Sequence, residues 1–380
     1  VVATNPPYLN KYDGKLKGFV DNNYKAYGGD LFSVFIYRNL LFCKENGYSG
    51  YMTPFVWMFI KTYEKLREYI INNKSIATLA QMEYSAYEEA TVPICTFVLK
   101  NGRETCNGLY FRLSDFKGGM EVQRQKILEA LSSENCKYFF VATESNFSKI
   151  PGSPIAYWVS VSFFNTFDSQ TIGNIADAKQ GLATADNNRF LRLWYELSLN
   201  SICFNATSCE DAESKNMKWF PYNKGGEFRK WYGNNDYVVN WENDGFEIKH
   251  FTDERGKLRS RPQNLQYYFR ECLSWSLVSS SVAAFRYKQK GFIFDIAGMS
   301  CFSNSNLLYL LGLTNSKYAM EVLKIVAPTI NYQCGDIANI PVKIANKEVV
   351  ESIVGNNVGL SKSDWDSFET SWDFKKHPLI

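Results

Sequence analysis

Histidine is nearly missing from this chain: His250 and His377 are its only two among 380 residues. That leaves little material for a histidine-ligated metal centre or for a hydrolase built on a histidine base. The nine cysteines never come closer than six positions, so no Cys-x-x-Cys pair offers a zinc site or dithiol chemistry, and no metal is expected. Their number is odd and their neighbours are apolar, as in Pro93-Ile-Cys-Thr-Phe97, which reads as reduced core cysteines of a cytosolic protein. Long greasy runs are lacking too. The longest, Phe55 to Ile60, falls far short of the ~20 residues a spanning helix needs, and no charged-then-apolar leader opens the chain, so no membrane contact is expected. Nor is there a charge excess: 42 lysines and arginines face 39 acidic residues, which excludes a polycation and an acidic tail and makes any nucleic-acid surface a local one.

What is present is 45% hydrophobic and 16% aromatic content, enough to bury a sizeable core over a length that favours two domains. Val1 to Thr4 has the β-branched character of a buried strand without an initiator methionine, and reads as a fragment beginning inside a sheet. Asn10 to Gly29 reads as a polar loop. Asp30 then caps an apolar helix from Leu31 to Asn46, closed by Gly47 as a left-handed cap. A strand at Tyr48 to Thr53, a helix from Phe55 to Asn73, and strands at Ser75 to Met82, Val92 to Lys100 and Leu109 to Leu113 follow. This order predicts an α/β fold, the C-terminal half of a doubly wound sheet ending in an antiparallel hairpin. From about Ser114 the rhythm changes. A helix at Phe116 to Glu134, a strand at Tyr138 to Thr143 and the Ile150-Pro-Gly-Ser-Pro154 break lead into a longer, loop-rich, aromatic α+β region. The expected division is 1–114 and 115–380.

The sharpest signal is Asn5-Pro6-Pro7-Tyr8, directly after the first strand. Such a pattern arises by chance in roughly one chain in a hundred of this length. A proline turn with Tyr8 as a half-buried plug is the plain alternative. The chemical reading is more specific. An exocyclic amine on an aromatic base is a poor nucleophile because its lone pair is delocalised into the ring. Two acceptors, the Asn5 side-chain oxygen and the Pro6 carbonyl, would each take one N–H of that amine, make the nitrogen pyramidal and bear part of its developing positive charge. The prolines lock φ and hold those acceptors in place, and Tyr8 would stack on a base that a duplex can offer only when flipped out. No strong base is required.

This tetrapeptide resembles the catalytic motif of amino-group methyltransferases that use S-adenosylmethionine, in particular the adenine-N6 DNA enzymes. Asp30-Leu-Phe-Ser-Val-Phe-Ile-Tyr-Arg38 and Gly47-Tyr-Ser-Gly-Tyr-Met-Thr-Pro54 look like the two motifs that follow it, and Tyr87-Glu-Glu-Ala-Thr-Val-Pro-Ile-Cys-Thr-Phe-Val-Leu99 like the segment whose aromatic leans on the flipped base. Further along, Gly181 to Phe190, Lys218 to Trp231, and Asn315 through Ile340-Pro341 resemble the phage-defence methyltransferases of BREX systems, the PglX type, and their restriction-modification relatives. The resemblance implies a partial catalytic domain at 1–114, a target-recognition domain at 115–380, a base held between Tyr8 and Tyr87, and a place within a much larger protein. It also implies that the cofactor's glycine loop and acidic ribose partner lie upstream of residue 1. Gly118-Gly119 and Gly225-Gly226 lack the strand-to-helix context of such a loop and read as turns.

Duplex DNA is the expected partner, with other phage-defence proteins as further ones. Segment Lys215 to Arg261 holds ten basic and seven acidic residues, with Lys224, Arg229 and Lys230 bunched among aromatics. Arg255, Lys257, Arg259 and Arg261 form a second cluster, and either fits a phosphate track or a solvated charged loop. Gln180, Asp186, Asn187, Asn188 and Arg189 are residue types that read base edges, and are equally common as helix caps. Two rival readings remain: a recognition module that is catalytically incomplete, and a methyltransferase acting on RNA or on protein glutamine.

Overall fold

The computed structural model describes residues 1–84, 92–103, 107–133, 136–279, 282–328 and 330–380. They form two compact units, Val1–Asp168 and Ser169–Ile380.

In the first unit, strand β1 (Val2–Thr4) leads through helices α1 (Gly14–Asn23) and α2 (Leu31–Phe42) to β2 (Tyr48–Pro54), which lies parallel to it with Val2 opposite Ser49 and Thr4 opposite Tyr51. Helix α3 (Glu64–Asn73) precedes β3 (Ser75–Gln81), and β4 (Ile94–Lys100) inserts antiparallel between β2 and β3. Next come β5 (Gly108–Arg112), parallel to β3, helix α4 (Gly119–Ser132) and β6 (Phe139–Ala142), antiparallel to β5. The sheet order is β1-β2-β4-β3-β5-β6. It is the later part of a doubly wound sheet with an antiparallel hairpin, as the segment order predicts. Ile36 and Leu40 of α2, Leu66 and Ile70 of α3, and Leu79, Phe97 and Leu99 of the sheet are almost wholly buried, so the apolar stripes of both helices lie in the core.

Four expectations are corrected. The loop predicted at 10–29 contains α1, capped by the Asp13 carboxylate on the Leu16 N–H at 2.8 Å. Helix α2 stops at Phe42 and the left-handed residue is Asn46, at φ 58°, not Gly47. The reason is distant in sequence: Asn101 Nδ2 donates to the carbonyls of Cys43 and Lys44, which a glycine cap would otherwise have satisfied. The helix predicted over 55–73 is three pieces, two 3₁₀ turns at Phe55–Met58 and Lys61–Tyr63 followed by α3. The buried Arg67 guanidinium takes the Trp57 and Ile60 carbonyls at 2.8 Å each, groups that a continuous helix would have spent internally. Finally, the first unit does not end at 114, because β6 extends its sheet. Arg67 also donates through Nε and Nη2 to the Gly152 carbonyl at 2.9 and 2.7 Å.

Arg67 thus ties three carbonyls together, and burial pulls its guanidinium down to about 10, still charged at neutral pH. Arg67→Met strands all three acceptors and lowers the stability of this unit by about 3 kcal/mol or more, measured as a shifted urea midpoint by fluorescence of the buried Trp57. An unshifted midpoint refutes this role.

The second unit holds strands β7 (Asp177–Lys179), β8 (Leu191–Leu193), β9 (Trp219–Asn223), β10 (Tyr237–Asn240), β11 (Cys272–Trp275), β12 (Phe285–Lys288), β13 (Ile293–Phe294) and β14 (Ser300–Phe302). They form two four-stranded sheets, β13-β9-β10-β8 and β12-β11-β14-β7. Phe220, Tyr222, Trp241, Tyr268, Phe269 and Phe294 pack into one core, and a 19-residue helix, Lys347–Trp365, lies near the end of the chain. Among the described residues no helix is long and apolar enough to cross a membrane, and the eight cysteines are free.

Candidate functional site

Asn5-Pro6-Pro7-Tyr8 leaves the carboxyl end of β1, where open α/β sheets place their ligands. Pro6 is buried and anchors the turn, while Asn5, Pro7 and Tyr8 are exposed. The Tyr8 hydroxyl lies 3.2 Å from Asn5 Oδ1 and 3.4 Å from the Met52 carbonyl, both acceptors. The first contact orients the Asn5 amide with its oxygen toward the phenol and leaves that oxygen's second lone pair free. Among the described residues nothing donates to the Pro6 carbonyl, so the next residue carries a second, uncommitted acceptor. Burial, with Cys95 and Asp30 nearby, holds the Tyr8 phenol above its usual pKa and keeps it a donor.

The far side of the tetrapeptide is clamped. Leu9 N–H donates to Asp30 Oδ1 at 2.9 Å, and the Leu9 carbonyl accepts from Leu31 N–H at 2.9 Å. Asp30 is buried and its carboxylate also caps Phe32 N–H at 3.2 Å, while Ser33 completes a capping box. Phe32 meets the Tyr8 ring edge-on, with centroids 6.2 Å apart. One carboxylate therefore joins the tetrapeptide loop to the start of α2. The sequence marks Asp30 as a cap, but not as the clamp on Leu9. Tyr87 lies outside the described residues.

Two of the sequence-derived polar clusters come together in the second unit. Ala183 and Arg261 exchange backbone bonds at 3.0 and 2.8 Å, and Gln263 and Asn264 donate to the Gly181 and Gln180 carbonyls. Arg189 and Arg259 both stack on Phe251, at 5.0 and 5.2 Å from its centroid. Within the first cluster, Asp186 caps the short helix Asn187–Phe190 through Arg189 N–H, Asn187 accepts from the Thr184 hydroxyl, and the Asn188 carbonyl accepts from Arg192. Arg189 is also paired with Glu247. Arg255, Lys257 and Arg261 stay exposed, the first two on a hairpin closed by the Thr252–Leu258 bridge.

The remaining cluster behaves differently. Lys224 lies 3.5 Å from the buried Asp295, Arg229 pairs with Asp364 and stacks on Trp365, and Lys230 donates to the Asn315 carbonyl at 3.1 Å. Each of these cations is engaged by its own chain.

A family model, Eco57I restriction-modification methylase, matches residues 1–87, the stretch that includes the tetrapeptide, the Asp30 clamp and β2. Across the whole of this chain, 36% of residues are identical to the adenine-specific methyltransferase PglX of Lacticaseibacillus casei (strain Zhang). Over its first 87 residues the chain is similar to the Eco57I-type methylases, and over its whole length to PglX. Adenine-specific methyltransferase BrxX of Escherichia coli O9:H4 (strain HS) is likewise 36% identical over all of it. The chain spans 32% and 30% of the lengths of these two relatives. Among solved structures, the Type IIL restriction-modification enzyme MmeI in complex with DNA superposes on 99% of this chain with a TM-score of 0.59, over 51% of its own length and at 12% identity, a likeness of fold.

For an Eco57I-type methylase the implied cofactor is S-adenosylmethionine, and the described residues do not form its cradle. The β1–α2–β2 crossover carries prolines, not glycines, directly after its first strand. Gly118-Gly119 does open a helix after a strand, contrary to the turn reading, yet α4 leads into the antiparallel β6, which is not a mononucleotide-binding arrangement. Gly225 and Gly226, at φ 89° and 127°, sit in a loop after β9.

Proposed function

We propose that this chain is the acceptor side and target-recognition part of an adenine-N6 DNA methyltransferase dependent on S-adenosylmethionine, acting in phage defence or restriction-modification. The observation that carries the reading is the exposed Asn5, its amide oxygen turned to the Tyr8 phenol, followed by the uncommitted Pro6 carbonyl at the end of a parallel strand, in a chain similar to relatives named adenine-specific. In this reading the two acceptors hold the N–H groups of a flipped adenine, Pro7 stiffens the turn, and Tyr8 faces the base with Tyr87 opposite. No protein base would be needed to prepare the amine, since the two acceptors would leave its own lone pair free to act as the nucleophile. That division of labour accords with a chain holding two histidines.

Duplex DNA is the proposed partner, and other defence proteins are proposed beyond it. The joined surface of Gln180, Asp186, Asn187, Asn188 and Arg189 with Arg255, Lys257, Arg259 and Arg261 is the proposed contact, its exposed cations meeting phosphates. Lys224, Arg229 and Lys230 then act by shaping their loop. Replacing Arg255, Lys257 and Arg261 together with glutamine reduces the slope of log affinity against log salt by about 2 to 3, read by anisotropy with a labelled duplex. An unchanged slope returns this hairpin to a merely solvated face.

A further inference from the structure

Loop 224–235 of the second unit is held in a conformation that its local sequence does not favour. Gly225, Gly226, Trp231, Gly233 and Asn234 all have positive φ, and Trp231, at 71°, is a bulky residue in the left-handed region. A side chain at Gly225 would come within 2.8 Å of the Ala297 carbonyl, and one at Gly233 within 2.6 Å of Arg229. Two fully buried basic side chains, Arg286 and Lys288, pin the loop from below. Arg286 donates to the Arg229 carbonyl at 3.2 Å and to Ser276 Oγ at 3.1 Å, and Ser276 in turn donates to the Gly226 carbonyl at 2.7 Å. Lys288 Nζ donates to the Gly233 and Asn234 carbonyls at 2.9 and 3.0 Å and to Asn235 Oδ1. From the sides, Trp231 exchanges backbone bonds with Phe285 and Tyr287 of β12, and Arg229 and Lys230 are tethered as described.

So much local strain persists only where the surroundings over-determine it, and such segments cluster at functional sites. What this frame presents is its apex, Gly226-Glu227-Phe228, the exposed part of the loop. Phe228 is 54% exposed, and among the described residues no ring or cation packs on it. Phe246 and Phe42, though more exposed, each carry a neighbour on the ring, His250 at 4.2 Å and Arg38 at 5.0 Å.

We propose that Phe228 is a wedge that enters the base stack of duplex DNA and fills the gap left when a base is flipped out. This rests on the DNA reading above. Two features select that occupant. Among the described residues the buried Arg286, whose guanidinium burial pulls down only to about 10, forms no ion pair with a carboxylate, and a nearby phosphate backbone offsets such buried positive charge. A phenyl ring has no donor or acceptor with which to read base edges, and stacks on any base.

The test compares two duplexes of one sequence, intact and with a single abasic site, titrated with this 380-residue chain. The gapped duplex binds at least about fivefold more tightly, Phe228→Ala brings the ratio to near one, and Phe228→Trp keeps it. Equal affinity of the unmodified chain for both duplexes, or a preference that survives in Phe228→Ala, overturns the wedge while leaving the DNA reading intact. Failure to bind either duplex overturns both. Because the side chain is exposed, its replacement leaves the fold in place.

Discussion

Replacing Asn5 with alanine lowers methyl transfer by about a hundredfold to a thousandfold or more while leaving duplex affinity within about twofold. The lost group is an acceptor that matters chiefly as the amine becomes pyramidal and cationic, so the deficit falls on the transition state and little on the ground state. The measurement uses a full-length protein carrying this segment, tritiated S-adenosylmethionine and bacterial DNA lacking adenine methylation, so that the unknown target sequence is present. Asn5 is exposed and its side chain accepts from Tyr8, so its removal costs the fold little. Undiminished methylation ends the assignment of the tetrapeptide as the acceptor site. Methylation that persists on RNA or protein alone moves the chemistry to a different acceptor.

Asp30→Ala is expected to lower kcat by about a hundredfold with the KM for DNA nearly unchanged, since a displacement of about 1 Å at a reacting centre has that effect. On the proposed reading Asp30 is a positioning residue, since its carboxylate is spent on backbone N–H groups. Its carboxylate fixes Leu9 N–H at 2.9 Å and Phe32 N–H at 3.2 Å, and those two bonds set where Tyr8 and the Asn5 amide stand. Asp30→Asn keeps an oxygen in the same place and recovers most of the rate. Losing a cap also lowers stability by about 1 kcal/mol, so the control is Asp13→Ala, which removes the comparable cap of α1. A kcat loss of equal size in Asp13→Ala shows that general destabilisation, not positioning, is responsible.

The site was legible because its signals are local. A β-branched strand, two prolines that fix φ, and an aspartate before an apolar run each act within a few residues, and β1, the tetrapeptide and the cap of α2 all stand where these patterns place them. Helix α1 carries the same kind of signal, Asp13 ahead of Leu16, Phe19 and Val20, but its polar neighbours dilute the apolar period. What the chain concealed depends on distant partners. The 55–73 segment has helical periodicity throughout, and it breaks because Arg67 folds back onto Trp57 and Ile60. The change of rhythm at 114 is real but falls inside a sheet, since β6 pairs with β5 across α4. Arg229 and Lys230 look like phosphate ligands until Asp364 and Asn315, far along the chain, are found beside them. Proximity in sequence predicts turns and caps; the employment of a long charged side chain is settled by what folds next to it.

The contrast between the two loops of the second unit bears on how such a protein can change over generations. In loop 224–235, five left-handed residues and two buried basic side chains prescribe the length and most of the side chains, so insertions and most substitutions there are lethal to its shape. The hairpin 252–258 is closed by the Thr252–Leu258 bridge and by Asp253, whose carboxylate accepts from Arg255 N–H and Lys257 N–H at 2.9 Å each; its tip is polar and exposed, and the Arg255 and Lys257 side chains can be exchanged at little energetic cost. On the proposed DNA reading, drift in target preference has an inexpensive route through the hairpin, while loop 224–235 stays constant.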